Sequence, residues 1–168
     1  MATADWHTLS LLLHLGVLAF WLGGNIFFLV VFGPAAHQLR PGAGVRTLNR
    51  GRIAFEAVSW AAIGLLALTG IINLLPNGRT AGAPQGEVYA LALAIKMFLF
   101  GAMLTHHGLQ VFKYAPKIAA LTAQTPADAA AWPEPLRALW QKWFTLLKIN
   151  AALGPVAVWL GLALAKGW

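Results

Sequence analysis

His14, Lys96, His106, His107 and Lys148 stand inside long apolar stretches of this 168-residue chain, and Glu56 stands at the edge of another. A titratable side chain in hydrocarbon costs several kcal/mol, roughly 2.5 or more at the centre of a helix. Such groups therefore turn toward the interior of a helical bundle and hold something there. Neutral imidazole is a good ligand for iron and loses little on burial. A desolvated neutral lysine ligates a metal or accepts a proton, whereas a protonated one pairs with an anionic group.

Spacing sorts these residues by face and depth. Lys96 and His107 are eleven residues apart, about three helical turns, so they lie within roughly 20° of one face, with Met103 between them. His14, Trp21 and Asn25, spaced by seven and four, also share a face. His14 and Lys96 fall at similar depth near the outer ends of two helices running the same way, and His107 falls roughly 16 Å deeper at about 1.5 Å per residue. That separation disfavours His14 and His107 on one iron. It favours an outer site on His14 and an inner site on His106 or His107, which point about 100° apart. Glu56 and Lys148 are expected to meet in the inner half and neutralise each other. Asn150 lies near mid-depth, shortly before Pro155, which frees a backbone carbonyl.

The elements that carry these residues are membrane spans. The chain is 59% hydrophobic and only 10% charged, more apolar than a soluble domain of this size needs. Four stretches, approximately 9–32, 53–75, 88–114 and 144–165, are long enough to cross about 30 Å of hydrocarbon. The expected fold is all-α, one transmembrane domain over 1–168, an integral membrane four-helix up-down bundle. The first stretch is too long for a signal-peptide core, lacks a basic leader and contains His14 and Asn25. Gly33-Pro34 and Arg40-Pro41-Gly42 read as helix stops opening a first loop, and 76–87 reads as a short polar turn. The third loop, from Ala115 to Lys142, is expected to hold a short helical or interfacial segment, with Trp132, Trp140 and Trp143 near the headgroups. Small residues at Gly23, Gly24, Gly64, Gly70, Gly101 and Gly154 are expected to let helices approach closely.

The net charge of +7 is topological. Arg40, Arg46, Arg50 and Arg52 crowd the first loop, and Lys113, Lys117, Arg137 and Lys142 flank the third. The positive-inside rule places those loops in the cytoplasm and both termini outside, in a cell membrane of the bacterial inner-membrane type. Nucleic acid is not an expected partner; anionic lipid headgroups are. No cysteine is present, which excludes thiolate haem ligation, iron–sulfur clusters and covalent c-type haem.

Several short motifs, in order, carry a resemblance. LHLGVLAFWLGG, with His14, Trp21, Gly23 and Gly24, is similar to the first helix of HemJ-type and CopD-type membrane proteins. KMFLFGAMLTHH, from Lys96 to His107, resembles the third helix of HemJ proteins, Leu68-Thr69-Gly70-Ile71 resembles a segment shared across that superfamily, and Asn150 sits where the last helix often carries Asn. The resemblance implies a four-helix core binding haem b, with His14 as axial ligand and Lys96 as a required, catalytic-type residue beside it. It implies either protoporphyrinogen IX oxidation, as in HemJ proteins, or copper tolerance and uptake, as in CopD proteins. Val30, Pro34, Ala35 and Ala151 replace residues usual in HemJ proteins and point toward the CopD-like side.

The resulting expectation is a membrane haem b protein of electron transfer or redox chemistry. One or two haems are expected, with copper the lesser alternative. His14 and His107 are the candidate metal ligands, and Trp21, Asn25, His106 and Asn150 complete the candidate cofactor-binding set. A quinone or a redox protein is the expected exchange partner, and a homo-oligomer or a place in a larger respiratory assembly is compatible with everything above. Each candidate has a plainer reading. His14 is then a polar residue bonded to Asn25 or to another helix, Lys96 a snorkelling side chain, and His106 and His107 interfacial residues. Met97 and Met103 read as apolar filler rather than Cu(I) ligands. Trp6, Trp60, Trp159 and Trp168 read as belt or packing residues, and His7 and His37 as lesser ligand candidates.

Overall fold

Four long helices account for nearly all of the residues 6–75 and 86–165 that the computed structural model describes, and no strand occurs among them. They are α1 (Trp6–His37), α2 (Pro41–Leu74) and α3 (Glu87–Gln124), followed by α4 (Glu134–Ala165). Each is long and apolar enough to cross a membrane. Residues 76–85, where a polar turn was expected, lie outside the described residues, as do Lys166 and Trp168.

Side-chain contacts give the directions. His14 meets Thr69 while Phe28 meets Phe55, so α1 and α2 are antiparallel. His106 meets Asn150 while Gln110 meets the Trp143 carbonyl, so α3 and α4 are antiparallel too. Leu22 packs on Gly154 and Phe28 on Trp143, which sets α1 antiparallel to α4. The result is an up-down-up-down bundle. Its outward faces carry Leu12, Phe20, Ile71, Phe98 and Trp159, all exposed and apolar.

Every helix runs further than the hydropathy pattern indicates, and proline chemistry explains two of the cases. Pro34 and Pro116 lack an N–H, and each ring presses on the carbonyl four residues back, at Val30 and Phe112. Those carbonyls lie in π-helical turns, Phe28–Phe32 and Leu109–Tyr114. The wider turn moves the carbonyl clear, so both helices continue instead of stopping. Pro41 starts α2 rather than ending α1: Arg40 is extended, and proline suits the first helical turn, where its missing N–H would have no partner. The interval between α1 and α2 shrinks to residues 38–40. A side chain on Gly42 would collide with the Pro126 and Ala127 carbonyls, so this glycine lets the third loop close over the start of α2.

At 34 residues, α2 is about 50 Å long, well beyond a hydrocarbon layer of about 30 Å. The excess lies at the end where the first and third loops meet, and it has its own core. Val45, Leu48, Ile118, Leu136, Trp140, Trp143 and Leu147 are buried together there with Phe28. Trp140 and Trp143, expected near the headgroups, are packed against protein in this core. Leu136, Trp140, Trp143 and Leu147 are spaced by four, three and four, the buried stripe of a helix that begins ten residues earlier than the apolar run. The expected interfacial segment is likewise the last part of α3, its Ile118 fully buried. The second core, Leu18, Trp21, Ala62, Ile63, Leu66 and Met103, occupies the middle of the bundle. Gly154 permits close approach as expected, whereas Gly23, Gly64 and Gly101 face open space.

Between the two cores lies a buried ion pair. The Arg52 guanidinium donates to the Glu56 carboxylate at 2.6 Å, one turn along α2. The Trp143 indole N–H of α4 donates to the other carboxylate oxygen at 3.3 Å. Lys148 is not the partner of Glu56; it is exposed on another face of α4. Arg52→Ala leaves a buried carboxylate unpaired, a loss of about 3–5 kcal/mol for one half of such a pair. The expected result is a large fall in the thermal midpoint of the detergent-purified protein. Adding Glu56→Gln recovers most of it, because the uncompensated charge is then gone.

Candidate functional site

The buried face of α1 reads Ser10, His14, Leu18, Trp21, Asn25, each three or four residues from the last. This is the periodicity of one helical stripe, and all five side chains meet α2 or the bundle interior. Toward the end of the bundle where α1 begins, His14 Nδ1 lies 2.7 Å from Thr69 Oγ1. The Thr69 hydroxyl has a single proton, and it is directed to the Leu65 carbonyl at 2.6 Å. With that proton on the Leu65 carbonyl, Thr69 accepts from His14 Nδ1, and the Leu66 carbonyl stands by the same ring; in this tautomer the lone pair is on Nε2. A histidine that ligates a metal has this arrangement: one nitrogen held by the protein, the other basic. Ser10 Oγ donates to the Thr69 carbonyl at 3.4 Å and ties α1 to the same turn of α2.

Lys96 of α3 is half-buried and close enough to His14 to act on its ring electrostatically. Its Nζ stands 3.3 Å from where a side chain on Gly161 would begin, so the missing side chain of α4 gives the ammonium its space. Among the described residues the one ion pair is Arg52–Glu56, so no carboxylate neutralises Lys96. This group thus joins three helices at one level of the bundle: His14 and Thr69, with Lys96 beside them.

His106 and His107 diverge as their adjacent positions require. His106 turns to α4, where its Nδ1 lies 3.0 Å from Asn150 Oδ1. Asn150 donates its own Nδ2 to the Met103 carbonyl at 3.2 Å, so its oxygen faces His106 as acceptor, and again Nδ1 carries the proton. His107 turns to α2 and meets the Trp60 ring edge-on, with centroids 5.0 Å apart. His107 is 1% exposed, and its Nε2 has no hydrogen-bond partner, a state few buried nitrogens occupy. Ser59 Oγ and Trp21 Nε1 are buried without a partner as well.

The structure brings His14 to the depth of Lys96 and joins His106 to Asn150. It does not join Asn25 or Trp21 to His14: Asn25 donates to the Trp21 carbonyl of its own helix at 2.7 Å, and Trp21 packs in the middle core. His37 donates to the Gly33 carbonyl and stacks on Trp132, far from both groups. No set of three or more His, Cys, Asp or Glu side chains gathers among the described residues.

Thr69, Arg52, Ser59 and Gln110 are the participants that spacing alone did not single out. Thr69, Ser59, Glu56 and Arg52 all lie on the buried stripe of α2, which is a legible signal once the helix is known to start at Pro41. Gln110 follows His107 by one turn and donates to the Trp143 carbonyl at 3.0 Å.

The chain matches no family model, no curated protein and no solved structure. The reading of the site therefore stands on its geometry and on the motifs of the sequence.

The tautomers can be tested directly. In ¹⁵N spectra of histidine-labelled protein, His14 and His106 are expected to show a protonated Nδ1 and an unprotonated Nε2. Thr69→Val removes the acceptor and is expected to give His14 a mixed-tautomer signal, while His106 keeps its own. A protonated Nε2 on His14 in the unaltered protein would contradict the assignment.

Proposed function

We propose that this chain is a membrane haem b protein of electron transfer, with His14 as axial ligand through Nε2 near the end of the bundle that bears the termini. The observation that carries the reading is the Thr69 contact, which orients the imidazole and leaves Nε2 as the basic nitrogen. The donor set suits a porphyrin better than a bare ion. A porphyrin supplies four of the iron ligands itself, so one or two imidazoles suffice.

The chain's own groups have distinct tasks on this reading. Thr69 orients the ring. Lys96, uncompensated and in the same layer, pairs with an anionic propionate or completes the iron coordination. The apolar residues of the middle core exclude water. His106, oriented by Asn150, and His107, with its unpartnered Nε2, are the residues for a second site about 16 Å deeper along α3. When bound, haem supplies one-electron redox chemistry at iron, and axial ligand, burial and nearby charge set its potential. The positive-inside rule places the His14 end outside the cell and the Arg-rich loops in the cytoplasm. A quinone or a redox protein is the exchange partner that such chemistry calls for.

Absorption spectra of the oxidised and dithionite-reduced protein, with a pyridine haemochrome count, test the proposal. A b-type spectrum that His14→Ala abolishes is the expected outcome, with Thr69→Val weakening haem retention roughly 10–100-fold as loss of an orienting partner does at metal sites. Lys96→Gln is expected to keep the haem and shift its potential. A count of two that falls to one in His106→Ala or His107→Ala assigns the inner site. Colourless protein from haem-replete cells would overturn the reading.

A further inference from the structure

At the loop end of the bundle a groove runs between α1 and α4. Two adjoining hollows form it, of about 470 and 520 Å³, sharing His37, Gln141 and Phe144. The α4 wall is one helical stripe, Arg137, Gln141, Phe144, Thr145 and Lys148. The α1 wall is Leu29, Gly33, Pro34 and His37, one turn apart along the π-widened end of that helix. Every titratable residue lining the groove is a base: His37, Arg137 and Lys148. Among the described residues the one ion pair lies elsewhere, at Arg52 and Glu56, so no carboxylate neutralises these bases.

The polarity of the groove is graded along its length. Leu29, Pro34 and Phe144 make its membrane-side portion apolar, while Arg137 and Trp132 stand at the loop end. Lys148 begins in the apolar portion, but helical side chains lean toward the N-terminus of their helix, and for α4 that direction is the loop end. The lysine therefore leans toward Gln141. Trp140 also lines the loop end, and its buried indole N–H has no hydrogen-bond partner.

We propose that this groove is a binding site for an anionic phospholipid, its phosphate met by Lys148 and the Gln141 amide, Arg137 flanking the headgroup at the loop end, and an acyl chain lying along Leu29 and Phe144. Charge complementarity supports it. Basic pockets between membrane helices on the side of the positively charged loops meet the anionic leaflet, and each Lys or Arg near that surface adds to the attraction. A soluble phosphate would use the bases and leave the apolar portion unfilled.

The test is lipid retention by the purified full-length chain in mild detergent, measured by native mass spectrometry with added phosphatidylglycerol or phosphatidylcholine. Phosphatidylglycerol is expected to be retained in preference. Arg137→Gln with Lys148→Gln is expected to weaken that retention about tenfold. Both residues are exposed, so helicity and thermal midpoint should stay unchanged. Lys142→Gln, an equal loss of charge at an exposed base outside the groove, is expected to leave retention intact, as is the charge-conserving pair Arg137→Lys with Lys148→Arg. Four outcomes would each overturn the site: undiminished retention in the double Gln variant, an equal loss in Lys142→Gln, loss in the charge-conserving pair, or no preference over phosphatidylcholine. Displacement of the lipid by millimolar inorganic phosphate would assign a soluble anion instead of a lipid. None of these readings depends on haem.

Discussion

Inside an apolar bundle a charge is costly unless the protein supplies its counter-charge, because neither lipid nor a dry core solvates it. Arg52 and Glu56 meet this demand one turn apart on α2, and the Trp143 indole of α4 closes the remaining valence of the carboxylate. That single knot sets how α2 and α4 stand relative to each other. Phe28 packs against both Phe55 and Trp143, which carries the same register into α1. Gln110 donates to the Trp143 carbonyl and brings α3 into it. Sliding α4 along α2 by a turn would strand the Trp143 indole N–H, and sliding α3 along α4 the Gln110 amide, at a cost of about 1–3 kcal/mol each.

The register has a consequence for chemistry one and two layers above. With the helices held at that level, Thr69 stands opposite His14, and Asn150 opposite His106. Both histidines are then presented the same way, Nδ1 anchored by a side chain of a neighbouring helix and Nε2 left basic. The two layers are about 16 Å apart, measured from Lys96 to His107 along α3. On the proposed reading this separation spreads redox centres through the thickness of the membrane rather than gathering them at one iron. His107 differs from its neighbour: it is deeply buried beside Trp60 with an unpartnered nitrogen, the state in which a polar core group has its strongest pull on a ligand or an ordered water.

The long helices have a second effect. Because α1 and α4 continue past the apolar layer, a seam between them survives to the loop end, where bases rather than carboxylates line it. The same extension packs Trp140 and Trp143 in a protein core. Hydropathy reports where lipid contact ends, not where hydrogen bonding ends, so helices that pass beyond the apolar layer on a shared aromatic core look like loops by that measure. Prolines added to the effect. Pro34 and Pro116 are stop signals in a simple reading, yet a π-helical turn accommodates each of them.

Composition and periodicity by themselves determined the class of this protein: all-α, four apolar helices, and the buried stripe on which His14, Trp21 and Asn25 fall. These follow from local quantities, the length of an apolar run and the 3.6-residue repeat. Helix arithmetic alone also placed His14 and Lys96 at one depth, since both count from the same end of parallel helices. Which polar groups meet was decided only by the tertiary structure. Glu56 was expected to meet Lys148, with Arg52 read as a loop residue; because α2 begins at Pro41, Arg52 stands one turn away on the same helix and takes the carboxylate. Thr69 as the anchor of His14, and Asn150 as that of His106, depend on the rotation and offset of neighbouring helices. Those are set by packing of whole faces, and no spacing within one strand of sequence contains them.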